Sequence, residues 1–173
     1  MTDKIVFLGL PGAGKGTQGK LLSKYLEIPH FSCGDRIRQL IKTKSLLGLE
    51  IKKFLESNGD CWQPLPDDLA FAVASLAPNK CVLDGFPRNA SQLSWFAGNN
   101  IFLHLNISDA ESKKRVLARN RCDDALINWE SRISCDRSRL PQLLKACCPI
   151  NIDAEGKILD IFEEVKKCVI NLK

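Results

Sequence analysis

The sequence predicts an α/β fold with a mainly parallel central sheet, on three observations. Short apolar runs at 4–8, 81–83, 101–105 and 150–152 read as buried strands. They alternate with helix-period patterns at 15–26, 66–76, 109–120, 124–146 and 158–171, an order that builds a parallel sheet covered by helices. A glycine-rich loop joins the first strand to the first helix, in the order a phosphate-binding loop requires.

Lys4-Ile5-Val6-Phe7-Leu8 is the first strand. The loop that follows is Gly9-Leu10-Pro11-Gly12-Ala13-Gly14-Lys15-Gly16-Thr17. Its glycines let the backbone approach an anion and aim successive N–H groups at it. The helix behind adds the partial positive charge of its N-terminus. Lys15 supplies a mobile full charge, and the Thr17 hydroxyl can reach a phosphate or a Mg2+ ion. The residue after the lysine, usually Ser or Thr in such loops, is Gly16. Leu21, Leu22, Tyr25 and Leu26 put apolar side chains on one face of the first helix.

His30-Phe31-Ser32 reads as one more short strand. Residues 34–66 read as two helices, about 35–43 and 48–57, then a turn at Asn58-Gly59-Asp60. Such a helical insertion is either a mobile flap or a packed pair. Pro66-Asp67-Asp68 starts the next helix. Cys81-Val82-Leu83-Asp84 is an apolar strand ending in an acid that can hold the water shell of Mg2+ beside bound phosphates. The turn Gly85-Phe86-Pro87-Arg88 follows at once, bringing a planar guanidinium, suited to phosphate, to the same strand end. His30 and His104 show no partners in the sequence and are read as structural.

At 173 residues the chain is a single domain by length, expected to bury roughly two thirds of its unfolded surface. The composition, 45% hydrophobic and 26% charged, is that of an ordinary globule. No stretch approaches a membrane span, and Met1-Thr2-Asp3-Lys4 runs straight into a strand without signal-peptide character. The cytoplasm is therefore the expected compartment. Eight cysteines include no Cys-x2-Cys pair, so reduced packing thiols are expected, with no zinc. A net charge of +5 is compatible with nucleic acid, but the basic residues are mostly scattered and not interleaved with aromatics. Small phosphorylated ligands account for the charge without nucleic acid or membrane, and a monomer is expected.

Gly-Leu-Pro-Gly-Ala-Gly-Lys-Gly-Thr-Gln at 9–18 and Asp-Gly-Phe-Pro-Arg at 84–88 resemble the nucleoside monophosphate kinases, most of all the adenylate kinases. A glycine after the loop lysine is that family's habit, and the likeness runs from Lys4 to about Val165. It implies a three-layer P-loop kinase fold with a monophosphate-binding insertion at 34–66, and transfer of the γ-phosphoryl of Mg-ATP to AMP. The resemblance further implies that Gly12, Ala13, Gly14, Lys15, Gly16 and Thr17 hold ATP. Arg115 would lie against its base, Arg119 would meet phosphate, and the Gly156 backbone would contact the base. For AMP it implies Arg38 and Arg88 on the phosphate, and Gln92 reading adenine. Cys33, Gly85, Phe86 and Pro87 would line the same pocket, with Gln63, Pro64 and Leu65 as its backbone wall. Arg121 and Arg132 would clamp the transferring group between them, making up the catalytic set with Lys15 on the ATP phosphates and Arg88 on the acceptor, and Asp84 would position hydrated Mg2+. Two departures stand out. Cys33 replaces the family's Thr, where UMP/CMP kinases carry Ala, leaving a pyrimidine kinase as the nearest rival. Only Asn120 separates Arg119 from Arg121, so the lid is reduced to a vestige at 119–124. That shortening fits incomplete closure, or a nucleotide-binding regulatory protein or ATPase without transfer activity.

Overall fold

The computed structural model describes residues 4–58, 63–118 and 129–171. Arg119, Asn120, Arg121, Asp123 and Asp124, with Cys61 and Cys122, lie outside them, as does the proposed lid at 119–124. Among the described residues five strands, β1 (Lys4–Leu8), β2 (His30–Ser32), β3 (Cys81–Asp84), β4 (Asn100–Asn106) and β5 (Ile150–Asp153), form one sheet in the order β2-β3-β1-β4-β5. Every pairing is parallel, with Lys4 of β1 in register with Cys81 on one side and Asn100 on the other.

The described helices are α1 (Lys15–Leu26), α2 (Cys33–Lys42), α3 (Leu46–Ser57), α4 (Asp67–Ala74), α5 (Asp109–Ala118), α6 (Trp129–Cys147) and α7 (Ile158–Ile170), with a 3-10 turn at Ser91–Trp95. They cover both faces of the sheet. Successive side chains of a strand point to opposite faces, and β1 shows the result. Ile5 and Phe7 enter a core with Leu22 of α1 and Ile161, Val165 and Val169 of α7. Val6 and Leu8 enter a second core with Leu40 of α2, Ile51 of α3 and Val73 of α4. This is why the strand reads as an unbroken apolar run: a parallel sheet covered on both faces has no polar side.

The helices of the 34–66 region begin two residues before the sequence reading placed them. Serine caps set the starts. The Ser32 side chain accepts from the Asp35 N–H (3.4 Å), opening α2 at Cys33, and the Ser45 side chain accepts from the Gly48 N–H (3.1 Å), opening α3 at Leu46. The two helices pack closely, since a Cβ on Gly48 would stand 2.1 Å from the Leu40 carbonyl oxygen. Among the described residues no helix is long and apolar enough to cross a membrane.

Chain direction brings the functional segments together. From β1 the chain runs toward β2, whereas from β3 it runs the other way to β4. Crevices in such sheets open at the carboxyl ends of strands where connections diverge. The glycine loop leaves β1 there, and the 84–88 turn leaves the neighbouring β3.

Candidate active site

The glycine loop wraps the start of α1. Gly14 caps the helix at φ 93, in the left-handed region that glycine adopts without a Cβ penalty. Gly12 is also left-handed at φ +78, and a Cβ there would lie 2.7 Å from the Ser112 carbonyl oxygen. Ser112, wholly buried in α5, donates its hydroxyl to the Pro11 carbonyl at 2.7 Å, fixing the loop from behind. Ala13 is buried, while Thr17 is exposed one turn into α1.

Lys15 folds back over its own loop and donates to the Gly9 and Leu10 carbonyls, each at 2.8 Å. Burial, followed by the nearby positive charge of Arg88, lowers its pKa to about 7. An ammonium in low dielectric close to a guanidinium loses much of its preference for the charged form. An arriving anion would restore it.

At the end of β3, Asp84 is held by two side chains. Its Oδ2 lies 2.7 Å from His30 Nε2, and its Oδ1 accepts from the Ser32 hydroxyl at 3.1 Å. His30 therefore has a partner, contrary to the sequence reading, because parallel pairing of β2 with β3 sets it next to the carboxylate. His104 is corrected too: its Nδ1 lies 2.8 Å from Asn151 Oδ1 on β5, its register partner. Burial lowers the His104 pKa.

Arg88 is anchored by a hydrogen bond from Nε to the Gly85 carbonyl (3.0 Å). It lines two cavities. A small one, of about 20 Å3, lies between the loop and α6 and also touches Lys15, Gly85, Pro87 and Asp136. A larger one, of about 230 Å3, is walled by α2, α4 and the 84–92 segment. Cys33, Arg38, Gln63, Pro64, Leu65, Gly85, Phe86, Gln92 and Arg132 all line it with Arg88, so residues spread from 33 to 132 meet around one space. Pro87 faces the smaller cavity.

Gln92 is fully buried. Its Oε1 accepts from the Arg88 N–H (2.7 Å) and its Nε2 donates to Asp67 Oδ1 (2.8 Å). An amide has two donors and two lone pairs, so these bonds leave capacity on each side of the group. Asp67 also accepts from Asn89 and Ser91, and these hydrogen bonds, Ser91 and Gln92 first, hold its carboxyl below the usual range. Burial, then the Asp84 carboxylate, pushes the Cys33 thiol up to about 12. It is thus a neutral, weakly hydrogen-bonding group on the cavity wall. Arg38 pairs with Asp35 one turn earlier on α2.

Arg115 lies apart from these cavities. It donates to Glu111 Oε1 and to the Ala154 carbonyl, both at 2.8 Å, tying α5 to the 154–157 loop that carries exposed Gly156. Gln18 of α1 reaches the far end of that loop by donating to the Ile158 carbonyl at 2.9 Å.

Three contributors were missed by the sequence reading: His30, Asp67 and Asp136. Asp136 stands one helical turn after Arg132, a spacing that places both on one face of α6.

Comparison with known proteins agrees with this architecture. The family described as Adenylate kinase matches residues 7–172. An adenylate kinase of Rickettsia bellii is 34% identical over 180 residues, covering 97% of this chain and 80% of its own length. One from Leuconostoc mesenteroides is 30% identical over 190 residues, covering 99% of this chain and 100% of the relative. Adenylate kinase 1 of a Nostoc species is 35% identical over 131 residues, 70% of this chain and 71% of the relative. With its five-stranded parallel sheet and glycine loop, the chain belongs to the adenylate kinase family, a family of phosphotransferases.

Proposed function

We propose that the protein transfers the γ-phosphoryl group of Mg-ATP to AMP, giving two ADP. The observation that carries this reading is the position of Arg88 on the walls of both cavities, next to Lys15 in one and Gln92 in the other. A guanidinium shared by a phosphate loop and an acceptor-sized cavity is where two phosphates would meet.

The acceptor phosphate is already anionic, so transfer needs alignment and charge neutralisation more than a base. In this reading the loop N–H groups of Gly12 to Thr17 and the Lys15 ammonium hold the ATP phosphates. Arg115 and the Gly156 backbone border the ATP base, and Arg119 meets phosphate. Arg38 and Arg88 hold the acceptor, and Arg121 and Arg132 act on the transferring group. Gln92 reads the base with its spare donor and acceptor. The helical segment 34–66 supplies the acceptor wall, and 119–124 is a short lid.

Asp84 fits Mg2+ held through water. It is a hard oxygen donor whose Oδ2 would lie 3.6 Å from a Cβ on Gly16, at the first turn of α1. Among the described residues no group of three His, Cys, Asp or Glu could hold a metal, so a cation here would draw its other ligands from water and nucleotide phosphates. Mg2+ bound with ATP would neutralise phosphate charge; His30 and Ser32 hold the Asp84 carboxylate in place.

The test is ADP formation from Mg-ATP with AMP, CMP, UMP, GMP and dAMP in turn, with ATP alone as control. Strong preference for AMP supports the assignment. Cys33 favours one second reading: a thiol is a poor hydrogen-bonding substitute for a hydroxyl, and preference for a pyrimidine would make the protein a UMP/CMP kinase. ADP release equal with and without acceptor would mean hydrolysis or sensing. Arg88→Ala and Lys15→Ala are each expected to lower the transfer rate by orders of magnitude with the fold intact, as judged by circular dichroism.

A further inference from the structure

Asp136 is an acid in a place built for anions. It projects from α6 into the small cavity that Lys15 and Arg88 also line, and its side chain is only 12% exposed. Its two oxygens stand 3.4 and 3.5 Å from Arg88 Nη1. Among the causes acting on Lys15, Asp136 raises the pKa and so favours the charged ammonium, as Asp84 does.

We propose that Asp136 is an affinity-determining residue of the phosphate site, an internal anion that offsets the charge of Arg88 and opposes any phosphate bound there. The inference rests on the phosphate-binding role proposed for Arg88.

Two readings of the pair predict opposite signs. If Asp136 merely held Arg88 in place, its removal would loosen the guanidinium and weaken phosphate binding. The geometry argues against that. Arg88 is already fixed through Nε by the Gly85 carbonyl at 3.0 Å, a bond Asp136 does not share. The contact with Asp136 is longer, uses one nitrogen, and lacks the paired fork of a positioning Arg–carboxylate interaction. What Asp136 contributes is charge, poorly screened because the side chain is mostly buried. A phosphate approaching Arg88 meets that charge directly. Asp84, the other carboxylate near Lys15, has a side-chain partner on each oxygen, His30 on Oδ2 and Ser32 on Oδ1.

The experiment is calorimetric titration of the full chain with inorganic phosphate, comparing the unmodified protein with Asp136→Asn, Asp136→Ser and Asp136→Glu. The charge-removing Asn and Ser variants are expected to bind phosphate at least tenfold more tightly, and Glu to stay within twofold of the unmodified protein. Using both Asn and Ser guards against a folding defect in either, checked by thermal melts. In steady state with the best monophosphate acceptor, KM for that acceptor falls in Asp136→Asn, whereas a tether would make it rise. Equal or weaker phosphate binding in both charge-removing variants, including none measurable in any protein, overturns the proposal. Phosphate binding depends on neither the base nor the transfer step, so failure of the AMP assignment would be seen separately, in the acceptor assay.

Discussion

Binding of nucleotide is expected to draw a proton from solvent, because Lys15, buried, near Arg88 and hydrogen-bonded to two neutral carbonyls, has a pKa of about 7. With that value the side chain is about half charged at pH 7 and roughly one-tenth charged at pH 8. A polyphosphate placed against the ammonium favours the charged form and returns its pKa toward the ordinary lysine range. Uptake should then be about 0.9 proton at pH 8, about 0.5 at pH 7 and about 0.1 at pH 6. The measurement is clearest at pH 8, where a terminal phosphate with its second ionisation near 6 no longer titrates. Titration with a non-hydrolysable ATP analogue and Mg2+, in two buffers of different ionisation enthalpy, gives the proton count directly. Saturable binding with less than about 0.2 proton taken up at pH 8 would refute the reasoning, since Lys15 would then be charged already or remain neutral under phosphate. The same displacement has a sign for stability. The folded value lies below the ordinary lysine value of 10.5, so between pH 7 and 10.5 the unfolded chain holds the extra proton. The contribution of Lys15 to stability therefore rises with pH across that window, and its cost is greatest at and below neutrality.

Three further outcomes concern the scaffold. Gly48→Ala places a Cβ 2.1 Å from the Leu40 carbonyl oxygen and 2.3 Å from its carbon, and urea denaturation should show a loss of about 3 kcal/mol; a loss below half that would mean the α2–α3 contact yields easily. Gly19→Ala sets a Cβ 2.6 Å from His30 Nε2 and is expected to destabilise by about 1–3 kcal/mol. His30→Ala in the same chain should recover part of that loss, and strict additivity would count against the clash. Asp67 has a lowered pKa, so its stabilising contribution is complete above the ordinary carboxylate range and disappears as pH falls through the folded value. Asp67→Asn should flatten the acid side of the stability profile below about pH 4, and an unchanged acid limb would show that the hydrogen bonds to Ser91 and Gln92 carry no linkage.

The layers and strand placement were legible because their signals are local. β1 reads as apolar throughout because both faces are covered, and β2, only three residues long, was found from His30-Phe31-Ser32 and nothing more. The starts of α2 and α3 were misplaced although Ser32 and Ser45 carried the capping signal. Contacts between distant segments were the unreadable part. His30 meets Asp84 only because β2 pairs with β3, and Asp136 meets Arg88 only once α6 has crossed above the 84–88 turn. Asp136 alone looks like one more acid on a helix opposite solvent. Gln92 was singled out as a base reader, but its bond to Asp67 comes from a segment 25 residues earlier and is invisible in either stretch.

The parallel register of β1 has a consequence for how the chain is made. Lys4 pairs with Cys81 and Asn100, so the earliest synthesised of these five strands is the central strand of the sheet. At translation rates of about 5–20 residues per second, roughly 80 residues of waiting amounts to about 4–16 s in which Ile5 to Leu8 have no paired strand. During that interval Leu22 of α1 and Leu40 and Ile51 of the α2–α3 pair are the core partners available to β1, and slowing synthesis before β3 would prolong the wait for strand pairing. The yield of folded protein should accordingly depend on translation speed between residues 30 and 84 more than on speed after β4.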